Sequence, residues 1–162
     1  MYGWIRVDKQ YEKVIDVLDK LPDTQLLIIG KYSKKEVSYF NFLKNKIIEK
    51  HLEKRVIFTG MIPDKEKWKF MSCGDVAIFP YRISTNSAAL MDSLSVYLPS
   101  ITSKIPQFEE FEKKWNVVKT VNVNSREDMV NAINSVINNK ELWKKRIANF
   151  IKKNNREEVA KL

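Results

Sequence analysis

One cysteine, one histidine, four glycines and five prolines are all that 162 residues contain of these types. Each scarcity removes a class of protein. Cys73 alone cannot close an internal disulfide, and without His or Cys partners at ligand spacing it anchors no zinc site. A reducing, cytosolic setting is therefore expected, at most against the inner membrane surface. So little Gly and Pro excludes a collagen-like repeat and argues against a long disordered tail. Apolar runs stop at four residues, as in Leu26–Ile29, far short of the ~18 of a membrane span. Met1 leads into Tyr-Gly-Trp-Ile rather than the basic stretch and apolar core of a secretory signal. No GxGxxG, P-loop, HExxH or Ser-His-Asp set occurs, which argues against a dinucleotide site, a Walker NTPase, a zinc protease and a hydrolytic triad.

What is present is charge and an apolar core. Lys and Arg number 29 against 20 Asp and Glu, a formal charge of +9, and 44% of residues are hydrophobic. The length suits one domain over residues 1–162. A basic excess fits nucleic acid, an anionic membrane surface or a phosphate-bearing small molecule. The cations are interleaved with acids, as in Lys65-Glu66-Lys67, so a nucleic-acid tract is not indicated, while peripheral membrane contact stays open. Trp4, Trp68, Trp115 and Trp143 lie on separate elements, unlike an RNA-stacking platform, and read as packing residues.

Short apolar runs alternate with helix-period segments. Tyr2–Ile5, Gln25–Ile29, Val56–Thr59, Val76–Phe79, Ser100–Thr102 and Val117–Thr120 read as strands. Tyr11–Leu21 places Val14, Ile15, Leu18 and Leu21 on one helical face, and Glu36–Leu52 does the same with Val37, Phe40, Leu43, Ile47 and Ile48. Further helices are expected over Asp64–Met71, Asn86–Val96 and Gln107–Lys114. Another starts at the capping-box-like Ser125-x-x-Asp128, and a last one runs over about 140–155. Parallel strands need helical crossovers, so the expectation is an α/β fold: a Rossmann-like open parallel six-stranded sheet with helices on both faces.

Ligands of such sheets bind at the carboxyl ends of the strands. The loop Pro80–Ser87 leads into a helix beginning Ser87-Ala88-Ala89, whose unpaired amides would attract an anion, with Arg82 reinforcing the preference. The same residues also fit a plain helix cap with Arg82 solvated. Arg6 and Lys9 follow the first strand and suit a diphosphate at that edge, or else form a basic surface turn. Gly30 and Gly60 end strands where the backbone must turn or approach a ligand. Asp92 faces either the pocket or solvent. His51 reads as a residue compensating a helix carboxyl terminus, and Cys73 as a small buried filler.

In order and spacing these loops resemble the carboxy-terminal, nucleotide-sugar-binding half of GT-B glycosyltransferases, specifically retaining family 4. The likeness covers nearly the whole chain. "YGWIRVDKQYEKVIDVLDKLPDTQLLIIG" is similar to the family's glycine, basic residue, lysine, helix, strand and glycine. "RVIFTGMIPDKEKWKFMSCGDVAIFPYR" resembles its V-F-G-x-(I/V)-P turn, short helix and A-D-V-x-x-x-P strand. "NSAALMDSLSVYLPSITSKIPQFEEF" resembles its helix, P-V-I-A-S strand and P-x-x-x-E segment. The resemblance implies binding of a UDP-, GDP- or ADP-sugar, no other cofactor, no metal, and retaining hexose transfer to an acceptor.

By that resemblance Lys9 grips the diphosphate, and Arg6 replaces the arginine expected beside Gly3, where Trp4 stands. Gly60, Met61 and Ile62 would meet the base. Asp92 falls on the second of the family's two glutamates, which holds the ribose. Ser84 falls on the first, which holds the sugar, and Thr85, Asn86 and Ser87 replace the glycine-rich stretch. The sequence starts directly on the first donor-domain strand. An amino-terminal acceptor domain, or a partner chain supplying it, is therefore expected to be required for transfer, and the isolated domain is expected to be inactive. The substitutions Trp4 and Ser84 suggest a second reading, a degenerate, non-catalytic GT-B-like interaction module.

Overall fold

The computed structural model describes residues 1–84 and 87–154. Among these residues five parallel strands form two sheets, rather than the expected single sheet of six. β1 (Leu26–Ile29) pairs with β2 (Val56–Gly60), and β3 (Ala77–Phe79), β4 (Ser100–Ser103) and β5 (Val118–Val121) pair in that order. The expected first strand, Tyr2–Ile5, makes a single bridge between Tyr2 and Ile29. Its hydrogen bonds run along the other edge of β1: Ile29 N–H donates to Met1, Gly3 N–H to Ile29 and Ile5 N–H to Lys31, each at 2.9 Å. At Gly3 φ is +121°, outside the extended region, so regular strand geometry fails there although the edge is covered.

Seven α-helices occur among the described residues: α1 (Tyr11–Ile15), α2 (Val37–Glu49), α3 (Asp64–Ser72), α4 (Ala88–Ser95), α5 (Pro106–Trp115), α6 (Arg126–Asn138) and α7 (Lys140–Lys153). The helix expected over Tyr11–Leu21 is instead α1 followed by a 3-10 turn, Leu18–Lys20. Pro22 disfavours a helical conformation at the preceding residue, and Leu21 has left the helix. Arg55 then satisfies the carbonyls of Leu18, Leu21 and Thr24. Ser125 caps α6, its hydroxyl accepting from Asp128 N–H at 3.1 Å, while its own N–H donates to the Asn122 carbonyl at 3.0 Å rather than to the Asp128 carboxylate of a full capping box.

In-register parallel pairing makes paired residues face the same side, so each sheet face is legible from the pairings. Ile78, Ile101 and Val121 point to one side, into a core with Met129, Ile133 and Val136 of α6 and Trp143 of α7. Ala77, Phe79 and Val118 point to the other, against Leu90 and Leu94 of α4, Phe108 of α5, and Ile147 and Phe150 of α7. The first core continues through Ile5, Ile28, Val56, Leu43 and Ile47, joining the amino-terminal segment, the first sheet and α2. Each fully buried Ile or Leu contributes about 1.5–3 kcal/mol.

Several expected packing residues lie outside. Val37 and Ile48 of α2 are 40% and 55% exposed, because the buried stripe follows Leu43 and Ile47. Trp4 and Trp68 are exposed, whereas Trp143 is buried and Trp115 stacks edge-on against Phe150. Cys73 is exposed at the end of α3 rather than buried. His51 takes a left-handed φ of +54° just beyond α2. Asn155, the expected end of the last helix, lies outside the described residues. Among those described, no helix is long and apolar enough to cross a membrane.

Of the four glycines, Gly30 is the one most closely approached by other backbone. Its φ is +149°, and a Cβ there would sit 1.9 Å from the Gly3 carbonyl oxygen. Gly60 also has positive φ, +69°, but a Cβ would enter open space. Gly60→Ala is expected to cost about 1–2 kcal/mol from backbone conformation alone. Gly30→Ala should add roughly 1–3 kcal/mol of overpacking, and denaturant melts of the two variants would rank them.

Candidate functional site

Three of the four glycines meet at the carboxyl ends of the strands. Gly3 abuts Gly30, and Gly30 N–H donates to the Gly60 carbonyl at 3.1 Å. This brings the Gly60-Met61-Ile62 loop beside the segment that carries Arg6 and Lys9. Met61 is 73% exposed and Ile62 partly buried.

After Ile5 the chain forms a 3-10 turn, Val7–Lys9. Arg82 N–H donates to the Asp8 carbonyl at 2.9 Å, tying this turn to the loop after β3. Ser103 Oγ donates to the Tyr81 carbonyl, which holds the same loop to β4. The Lys9 ammonium sits 3.3 Å from the centre of the Tyr81 ring. Half-burial pulls its pKa below the lysine range, with Asp8 opposing the shift and Arg6 adding to it. Burial raises the Tyr81 phenol, whose hydroxyl lies beside Ser87, and that contact works in the opposite direction. Tyr81 thus touches both Lys9, through its ring face, and the cap of α4, through its hydroxyl.

Ser87 caps α4, its hydroxyl accepting from Leu90 N–H at 3.2 Å. The Ala88 and Ala89 amides, in the first turn, have no helical carbonyl behind them to accept their protons. α4 itself is anchored from below by Ser93 Oγ, which donates to the Leu90 carbonyl and meets Ser100 Oγ of β4, both at 2.7 Å in the buried interior.

The remaining expected residues are placed differently. Arg6 is turned to its own neighbour: its guanidinium grips both Asp8 carboxylate oxygens at 2.9 and 2.6 Å. That hydrogen bond holds Arg6 above its usual range. Arg82 lines a polar cavity of about 480 Å³ together with Tyr81, Lys13, Ser103, Lys104 and Asn122. Ser84 and Ser87 open onto a cavity of about 220 Å³ between α4 and α5, walled by Leu90, Met91, Phe108, Phe111 and Trp115. Asp92 accepts from Lys67 Nζ at 2.8 Å. Thr85 and Asn86 lie outside the described residues. Among those described, no three His, Cys, Asp or Glu side chains gather closely enough to hold a metal ion.

Sequence reasoning passed over Tyr81, Asp8 as the partner of Arg6, and Lys67. Tyr81 directly follows Pro80 at a strand end, and an aromatic residue there between two basic loops was the available signal. For Lys67 the signal was only a cation in the middle of a short helix.

The glycosyl transferases group 1 family model matches residues 1–156. The chain belongs to that family. Among solved structures it is similar to HepE of Anabaena in complex with UDP, at 18% identity and a TM-score of 0.80, over 91% of this chain and 41% of that one. It is also similar to sucrose-phosphate synthase from Thermosynechococcus elongatus, at 17% identity and a TM-score of 0.79, over 98% and 42%. A third is the C-terminal domain of a glycosyl transferase group 1 family protein, LpcC, from Francisella tularensis, at 19% identity and a TM-score of 0.75, over 90% and 77%. These likenesses show a shared α/β fold. The chain spans about two-fifths of the length of HepE. No curated protein matches its sequence.

Partial burial disfavours the Asp8 carboxylate, but the Arg6 hydrogen bond and charge prevail and hold its pKa below 3.8. Its contribution is complete above that unfolded value and is lost as pH falls through the lower native one. Asp8→Asn is therefore expected to cost under ~1 kcal/mol at neutral pH, since Arg6 is half exposed. Thermal melts of variant and wild type should converge well below pH 3.8.

Proposed function

We propose that this chain is the carboxy-terminal, nucleotide-sugar-binding half of a retaining GT-B glycosyltransferase of family 4, transferring a hexose from a nucleoside diphosphate sugar. One observation carries the reading: Tyr81 carries the Lys9 ammonium over its ring and has its hydroxyl beside Ser87, the cap of α4, so a single residue links a side-chain cation to a helix amino terminus. A pyrophosphate presents two groups of negative charge, and this arrangement offers a positive side chain to one and a helix terminus to the other. The nucleotide base would lie by Gly60, Met61 and Ile62, on the glycine-lined side of the same edge. That the HepE structure contains UDP supports the choice of ligand class.

In this reading the chain's residues act electrostatically. As the sugar departs, charge accumulates on the leaving diphosphate, and donors already in place stabilise it without reorganising. Removing one such donor from an active site typically costs about 2.7–4 kcal/mol of barrier stabilisation. The acceptor must be oriented against the same centre. We assign that task to an amino-terminal acceptor domain or a partner chain, and expect no transfer from these residues alone. Contact with an anionic membrane surface remains part of the proposal on charge alone.

A second reading, a non-catalytic interaction module, is favoured by two contacts. Arg6 is occupied by Asp8 and Asp92 by Lys67, so two of the charges assigned to the donor already have partners. Transfer on supplying an acceptor domain would exclude it.

Calorimetric titration with UDP, GDP, ADP and their sugars is expected to give binding below millimolar dissociation constants, and its failure for the folded protein would overturn the donor site. Lys9→Ala should weaken the diphosphate about tenfold, or ~1.4 kcal/mol, and leave nucleoside affinity unchanged. Equal losses for both would contradict the assigned role.

A further inference from the structure

Lys67 and Asp92 belong to neighbouring helices, α3 and α4, and meet at 2.8 Å with 17% and 23% of their side chains exposed. The Lys67 ammonium also lies 4.3 Å from the Trp68 ring centre and 5.7 Å from that of Tyr2. Partial burial works against its charge, but the hydrogen bond it donates to Asp92 prevails and raises its pKa above the ordinary lysine value. The ammonium is therefore a fixed cation held by one carboxylate and two aromatic faces. Its bond is to Asp92 Oδ2. Among the described residues no donor meets Oδ1.

The placement gives this pair a direction. Asp92 lies five residues beyond Ser87, about 7.5 Å along the helix axis, and Lys67 lies three residues beyond Asp64, about 4.5 Å. α4 begins at the rim assigned to the diphosphate, and α3 begins directly after the Gly60–Ile62 loop assigned to the base. In a nucleoside diphosphate the ribose connects those two groups. Among the described residues Lys67–Asp92 is the one ion pair that joins these helices, and it lies within about two turns of each helix start.

We infer that Lys67 is a positioning residue for ribose recognition: it holds Asp92 by Oδ2 and thereby presents Oδ1 to accept a hydrogen bond from a ribose hydroxyl. The role rests on the donor reading above. A carboxylate with both oxygens free to rotate would have to be ordered by the ligand at an entropic cost. Held at one oxygen, it meets the hydroxyl already oriented. Asp92 is the group that touches the sugar, and Lys67 acts through it.

The test is calorimetric titration of the 162-residue chain with whichever of UDP, GDP and ADP binds most tightly, with its 2′,3′-dideoxy counterpart, and with inorganic pyrophosphate. Wild type is expected to prefer the ribonucleotide. Lys67→Met keeps the apolar stem against Tyr2 and Trp68, and should reduce that preference at least fivefold while changing pyrophosphate affinity less than twofold. Asp92→Asn should reduce it similarly. The double variant should lose no more than either single, because both act at one carboxylate.

A folded Lys67→Met protein that keeps the wild-type ratio, or single losses that add in the double variant, would overturn the assignment. If Lys67→Met does not fold, Lys67→Gln is judged by the same ratio. Equal affinity of wild type for the ribo and dideoxy compounds would sink this role alone. Binding of neither nucleotide nor pyrophosphate would sink the donor reading with it.

Discussion

The architecture turns on a backbone contact that leaves no room for a side chain. Gly30 lies so near the Gly3 carbonyl that a Cβ would overlap it, and this closeness seats the amino-terminal segment along β1 with its hydrogen bonds satisfied. From there the chain can only continue over the carboxyl edge of the strands, which is where Arg6, Asp8 and Lys9 emerge. Gly30 also bonds Gly60 on the other side, so one residue aligns both loops of the proposed donor site.

The second constraint is aromatic. Tyr81 is buried on a loop held by Ser103 below and by the Arg82–Asp8 backbone bond above. Its ring receives Lys9 on one face, and its hydroxyl lies beside Ser87. A half-buried ammonium over a ring keeps favourable electrostatics while shedding part of its water. A donor phosphate would thus find a cation that is already partly desolvated, beside a helix terminus whose position is set by the buried Ser93–Ser100 pair.

Much of this was legible along the chain. The five described strands coincide with expected apolar runs, and the helices follow the 3.6-residue period of their buried faces. Capping at Ser125 and Ser87 came from local chemistry that needs only a hydroxyl three residues ahead of an amide. The missing sixth strand and the broken first helix were not legible. Tyr2–Ile5 alternates like a strand, and only the contact with Gly30 shows why its geometry departs at Gly3. Tyr11–Leu21 has a helical period throughout, yet it forms α1 and a separate 3-10 turn, and Pro22 ends the second piece at Leu21.

Composition and pattern by themselves determined the class of fold, the family resemblance, and which loops crowd the strand ends, because periodicity and turn residues act over a few neighbours. Which charges remain available was decided only in three dimensions. Arg6 and Asp92 look alike on paper as ligand groups, but Asp8 takes up the Arg6 guanidinium, whereas Lys67, 25 residues away in sequence, engages only one oxygen of Asp92. Ion pairing depends on distances of a few ångströms between side chains, and no spacing along the chain encodes that separation until the helices have packed.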